Sequence, residues 1–237
     1  SSTISAYTVN DLEPEEGYAD WVAISYGDFI AIEGSANDVS DLAAHRAEYS
    51  NLETLVVDVE DVFNQYGYGF PTSKAVKSFI EHAYLNWNQP LRYALLVGDG
   101  HFNPRHVACT TCSVGGANFN TDADSLIPIF NSYTDPNQGL IPSDYRYTLL
   151  TGDDLISEIS IGRITAENTN QVKDAVAKII AYEDNLLKDL EWSKNMLFTH
   201  DWPDRVPENF FRVESELAEA KASSHGFRSE EHTSELQ

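Results

Sequence analysis

Cysteine, positive charge and long apolar runs are scarce in this sequence. Cys109 and Cys112 are its only cysteines. Two thiols cannot build a disulfide framework, so counting them does not decide the redox compartment. Lys and Arg number 15 against 38 Asp and Glu, a formal net charge of −23. Such a surface repels nucleic acid and anionic membranes, which argues against polyanion binding. It suits cations and solubility in salty surroundings, and most of these carboxylates read as a solvated coat. No apolar run approaches the roughly 18–20 residues of a membrane-spanning helix, and no signal-peptide pattern opens the chain. No Gly-x-Gly-x-x-Gly or Walker-type turn follows any strand-like run, so a nucleotide-binding domain lacks support. The chain opens Ser1-Ser2-Thr3 without an initiator methionine, and is expected to be a processed product or a fragment.

What is present is globular: 42% hydrophobic and 11% aromatic residues over 237 positions, enough to bury roughly 70% of the unfolded surface in one large α/β domain or two small ones. The organising stretch is Tyr93-Ala94-Leu95-Leu96-Val97-Gly98-Asp99-Gly100. Continuous apolar character marks a parallel strand covered on both faces, and ligands of open α/β sheets gather beyond the carboxyl ends of such strands. Asp99 stands at that edge, between two glycines that permit close backbone approach. Gly98-Asp99-Gly100 also reads as a plain tight turn.

In chain order, residues 1–20 read as a linker or an upstream remnant. Trp21 to Ser25 reads as the first strand, and Asn37-Asp38 caps a short helix carrying Val39, Leu42 and Ala43. Thr54 to Val59 is a second buried strand. The segment Asp61 to Pro71, rich in Gly and aromatics, is expected to be a loop. Val76, Phe79, Ile80, Ala83, Tyr84 and Trp87 then follow the helical period. That helix ends at Asn88-Gln89-Pro90, and the Tyr93 strand completes an alternation of strands and helices that implies a parallel sheet. Residues 101–148 are irregular, with Ile127 to Phe130 and Tyr145 to Leu150 strand-like. Ile159 to Arg163 is another strand, 170–187 a long helix, Asn195 to Thr199 a strand and Glu208 to Ala222 a helix. The last ten residues, Arg228 to Gln237, read as the translation of a common sequencing adapter and are set aside from fold reasoning.

Several landmarks in order carry a resemblance: Val57-Asp58-Val59-Glu60-Asp61-Val62-Phe63-Asn64, Gly67-Tyr68-Gly69, Leu95 to Gly100, Gly152-Asp153-Asp154, Ile161-Gly162-Arg163, Lys178 to Glu183 and Trp192. Over about residues 20–227 this set resembles the gingipain-type cysteine peptidases, family C25 of the caspase-like clan. The resemblance implies an α/β fold: a parallel-sheet, caspase-like first subdomain over 21–190, then the start of a second, catalytic α/β subdomain over 191–227. It implies a secreted or cell-surface protein acting on protein or peptide substrates, in which a thiolate attacks the scissile carbonyl and an imidazole handles the proton. The family's catalytic His-Gly turn and strand-end Cys are expected to lie beyond this chain. His225-Gly226 reads as a helix terminator, and Cys109 and Cys112, in a Thr/Gly loop, are rejected as nucleophiles. Asp201 falls where the family places an acid that orients the catalytic His, though a strand-end Asp is equally a cap. A family member without the catalytic pair, acting in secretion or as a calcium-stabilised surface module, would share this whole stretch.

The resemblance also implies structural calcium. Asp99, Asp154 and Glu158 would supply carboxylates, and Thr151 and Ile156 backbone carbonyls. Calcium takes six to eight oxygens, and alternate positions 154, 156 and 158 can point successive oxygens inward. The same loop also reads as merely solvated. His101, His106, Cys109 and Cys112 have the right ligand count for tetrahedral zinc; a local disulfide or two unlinked thiols are the other readings of the cysteine pair.

Overall fold

In a computed structural model, residues 10–12, 18–101, 113–114, 117–118, 125–135, 139–186, 191–198 and 210–231 are described. The chain divides into two compact units, Ser1–Ile180 and Ala181–Gln237. The division falls inside a helix, ahead of the boundary expected after residue 190.

The first unit is built on four parallel strands: β1 (Trp21–Ser25), β2 (Thr54–Asp58), β3 (Tyr93–Val97) and β8 (Ser160–Ile164), in the order β2-β1-β3-β8. β1 pairs in register with β2 (Trp21 beside Thr54) and with β3 (Trp21 beside Tyr93), and β3 pairs with β8 (Tyr93 beside Ser160). Alternation along each strand sends side chains to opposite faces. Val22, Ile24, Ala94 and Leu96 meet α2 (Val59–Tyr66) and α3 (Ser73–Asn86) on one face. Trp21, Ala23 and Val97 meet α1 (Val39–Ser50) and α4 (Thr169–Leu186) on the other. Both layers are apolar because a parallel sheet has no face to give to water.

Local chemistry sets the helix starts. Asp38 accepts from Asp41 N and Asp41 reaches back to Asp38 N, a reciprocal capping box at α1. Thr72 caps α3 through Ala75 N. The strand-helix alternation over Trp21 to Val97 is as expected, with one correction. The segment 61–71 is not all loop: Asp58 caps Glu60 N, and Val59, Val62 and Phe63 bury one face of α2. The apolar spacing that drives this helix was present, ahead of the Gly-rich stretch that follows it.

Three further corrections concern irregular chain. Residues 10–12 are not a linker: Leu12 is buried in the core, and Asn10 donates through N and Nδ2 to the Asp61 carboxylate at 3.2 and 2.8 Å. Residues 128–130 carry no strand; short antiparallel pairs lie at β4 (Ser113–Val114) with β5 (Ala117–Asn118), and at β6 (Asn131–Asp135) with β7 (Gly139–Pro142). Tyr145 to Tyr147 belongs to a 3-10 helix, Asp144–Tyr147, because the Tyr147 ring turns inward to full burial.

The second unit contains β9 (Asn195–Phe198), α5 (Phe210–Ser224) and β10 (Arg228–Glu231). β10 pairs parallel with β9, Arg228 beside Asn195. Residues 228–231, set aside in the sequence reading, thus supply the third piece of a strand-helix-strand crossover.

Candidate functional site

Connections leave β1 toward β2 on one side and return past it to β3 on the other, so the order of strands reverses at the carboxyl ends of β1 and β3. This is the place where open α/β sheets form crevices. Tyr26 N donates to Val97 O at 3.1 Å and Ser25 is fully buried, so the corner is closed by backbone. Asp99 follows β3 there. Its N donates to Ala166 O, its carbonyl accepts from Leu126 N and Ile127 N at 2.9 and 3.0 Å, and its Oδ1 accepts from Gly100 N at 2.8 Å. The flanking glycines serve that approach. A Cβ on Gly98, whose φ is +143°, would stand 2.8 Å from Ile127 Cγ1, and one on Gly100 would stand 2.6 Å from Ile127 O.

Arg163, in β8, supports the same edge. Its Nε and Nη2 grip Asp144 at 2.7 and 2.9 Å, its Nη1 donates to Gly98 O and Ile127 O at 2.9 and 3.0 Å, and Nη2 also donates to Pro128 O at 3.2 Å. Five guanidinium N–H groups make five bonds, the planar fork that lysine cannot reproduce. Tyr147 OH donates to the same Pro128 carbonyl at 2.6 Å, and burial pushes its phenol far above the ordinary range. Sequence reading quoted Arg163 only as part of a landmark. Its signal was a cation inside an otherwise apolar strand, which demands buried partners.

At the end of β2 stands a carboxylate corner. Asp58 is held above the ordinary carboxylate range by burial first, opposed by its bond from Glu60 N, with Asp61 and Asp28 adding repulsion. Glu60 is raised by burial first, and then by repulsion from Asp58 and Asp61. Asp61 is 1% exposed and receives the two Asn10 bonds. A half-open cleft of about 470 Å³ lies here between Asn10, Gly27, Ala31, Val57 and Asp58.

The five residues expected to share calcium are not brought together. Asp99 lies beyond the carboxyl end of β3, whereas Glu158 lies before the amino end of β8. The register from Tyr93 beside Ser160 to Val97 beside Ile164 puts the whole strand length between them. Those five pairs alone span about 13 Å, while ligands of one calcium lie within about 5 Å of one another. Asp99 is therefore corrected out of a shell containing Glu158. Within the loop, Glu158 and Asp154 make separate local bonds. Glu158 Oε2 accepts from Leu150 N at 2.8 Å, and its Oε1 accepts from Thr151 N and Oγ1 at 3.2 and 2.6 Å. These bonds, Leu150 foremost, hold its carboxyl below the ordinary range. Asp154 Oδ1 accepts from Ile156 N at 2.9 Å, and Tyr145 OH donates to Leu155 O. Among the described residues, no three His, Cys, Asp or Glu side chains cluster tightly enough to hold a metal.

His225 ends α5: its N donates to Ala222 O at 3.0 Å, its ring Nδ1 lies 2.9 Å from Lys221 O, and Gly226 takes φ +86°. That is a helix terminator. Asp201, His106, Cys109 and Cys112 lie outside the described residues.

Comparison with known proteins places this architecture. The chain matches Peptidase family C25 over residues 15–233. No curated protein matches it. Among solved structures it is similar to the Arg-specific cysteine proteinase gingipain R (TM-score 0.61, 22% identity, 94% of this chain and 42% of that one). It is also similar to the complex of Porphyromonas gingivalis RgpB pro- and mature domains (0.57, 18%, 88% and 40%). Dimeric latent PorU from Porphyromonas gingivalis gives 0.52 at 23% identity, over 72% of this chain and 16% of that one. The chain thus spans well under half the length of each, and likeness at these identities speaks for the fold. The family match covers nearly the whole chain, and the parallel sheet fits the caspase-like fold of gingipain: the protein belongs to peptidase family C25.

Proposed function

We propose that residues 21–227 are the first subdomain and the start of the catalytic subdomain of a secreted or cell-surface cysteine endopeptidase, whose catalytic His and Cys stand outside residues 1–237. The observation that carries this reading is the family match over residues 15–233. The substrates would be proteins or peptides. No described helix is long and apolar enough to cross a membrane. The role of the described part is scaffolding: Arg163 and Asp99 fix the carboxyl edge of the sheet through backbone carbonyls and amides, which holds loops in place without reacting. The test is hydrolysis of casein. Protein made from the gene extended past residue 227 should cleave it and lose that activity on treatment with iodoacetamide, and the 237-residue chain should cleave none. Cleavage by the short chain, or cleavage that survives thiol alkylation, overturns the reading.

Calcium belongs to this proposal as a structural ion of the 151–158 loop, with Asp154 and Glu158 carboxylates and the Thr151 and Ile156 carbonyls as its protein oxygens. The donor chemistry supports it, since all four are hard oxygen ligands. When bound, the ion would supply electrostatic cross-linking of the loop and no chemistry at a substrate. The loop's own residues do the rest, seating Glu158 on Leu150 and Thr151.

A further inference from the structure

A trough lined by basic and apolar side chains lies far from the carboxyl edge. On the face of the sheet covered by α1 and α4, β8 presents Ser160, Gly162 and Ile164, as alternation along the strand requires. Gly162 sits beside Leu95 in the register and carries no side chain to cover it. The amino half of this face therefore stays open as a trough of about 480 Å³, within the range of small-ligand sites. Its floor is Trp21, Tyr93, Leu95 and Gly162. One wall comes from the end of α1, where Arg46 and Ser50 stand above Leu52, with Arg46 Nη1 donating to Ser50 Oγ at 3.4 Å. The other cation is Arg92, stacked 5.1 Å over the Tyr93 ring and bonded to its hydroxyl at 3.3 Å. Asp20, outside the lining, makes a long ion pair with Arg92 Nη1 at 3.8 Å, which leaves the rest of this exposed guanidinium toward the trough.

In a chain with 38 acidic and 15 basic side chains, two arginines and no Asp or Glu line this trough. Charge and shape together specify the occupant. Guanidinium forks bind carboxylates, bidentately where the geometry allows, and an aromatic and aliphatic floor takes an apolar body. We propose that the trough is a binding site for a carboxylate carried on an apolar body, either a medium-chain fatty acid or the free carboxyl terminus of an apolar peptide. It lies within the first unit and does not depend on the peptidase chemistry.

Isothermal titration calorimetry of the 237-residue chain tests this with three probes: octanoate, N-acetyl-Leu-Phe with a free carboxylate, and the same peptide as its amide. At least one carboxylate should bind with a Kd below 1 mM, and the amide should bind at least tenfold more weakly. Octanoate alone would assign a fatty acid; the peptide acid alone would assign a peptide terminus. The paired substitutions Arg46→Gln and Arg92→Gln should weaken binding at least tenfold. Gly162→Val fills the floor, and a Cβ there meets only Leu95 Cδ1, at an ordinary 3.8 Å. This variant should fold, as its thermal unfolding will report, and should lose binding. The site is refuted if neither carboxylate binds at millimolar concentration, if the amide binds as well as the acid, or if Gly162→Val and the arginine pair both bind like the parent.

Discussion

Arg163 joins three carbonyls and one carboxylate from separate parts of the chain, with its side chain 7% exposed. Arg163→Met would leave Asp144 and those carbonyls without their donor, and the expected loss is about 3 kcal/mol in urea unfolding. A loss under about 1 kcal/mol would mean that the loops hold the edge unaided. Asp58 allows a test by pH. Its folded pKa is raised above the ordinary 3.8, so the charged form is disfavoured in the native state. The penalty is absent below the unfolded pKa and grows as pH rises through the folded value. Asp58→Asn keeps a capping oxygen for Glu60 N and should gain stability relative to the parent between pH 4 and pH 7. An unchanged difference across that range would contradict the assignment. Neither residue's role was legible in sequence. A cation in a strand signals buried partners but does not name them, and Asp144 is 19 positions away.

Among the elements, the main strands and long helices were legible because their periods are unambiguous: four apolar residues running into Ser25 for β1, and a stripe from Val76 to Trp87 for α3. α2 was missed because an eight-residue helix offers only two turns, and Gly67-Tyr68-Gly69 directly after it is a strong loop signal. The Asp144–Tyr147 turn was misread because one buried tyrosine among exposed neighbours looks the same in a strand. The turn beyond β3 yields a sharp expectation. A Cβ at position 100 would press on Ile127 O and Ile129 Cγ2, so Gly100→Ala should cost about 1–3 kcal/mol, read from the urea midpoint. The 151–158 loop, proposed to hold calcium, gives another. Glu158 has a lowered folded pKa, so its bonds stabilise the protein above the unfolded value and are lost as pH falls through the folded one. With calcium bound at the loop, EGTA should lower Tm at pH 7. Glu158→Gln should abolish that EGTA effect, and Asp99→Asn should leave it intact. An EGTA effect sensitive to Asp99 would return that residue to the shell.

At the scale of the molecule, the order β2-β1-β3-β8 follows from the chain's alternation and from connections that return past β1. The family resemblance could be read from ordered landmarks although none of them is specific alone. The candidate calcium set could not be checked in the same way, because sequence spacing does not say which end of a strand a loop serves. Asp99 and Glu158 both flank apolar strands, at opposite ends of a parallel pair. The central proposal is that this scaffold belongs to a thiol peptidase whose catalytic His and Cys stand outside residues 1–237. Its most direct test is to read the parent gene from genomic template past the codon for Phe227. The account predicts a reading frame that continues to a His-Gly turn and then runs through an apolar strand ending in Cys. A gene that encodes Arg228–Gln237 followed by a stop, or a longer frame lacking that His and Cys, would contradict it.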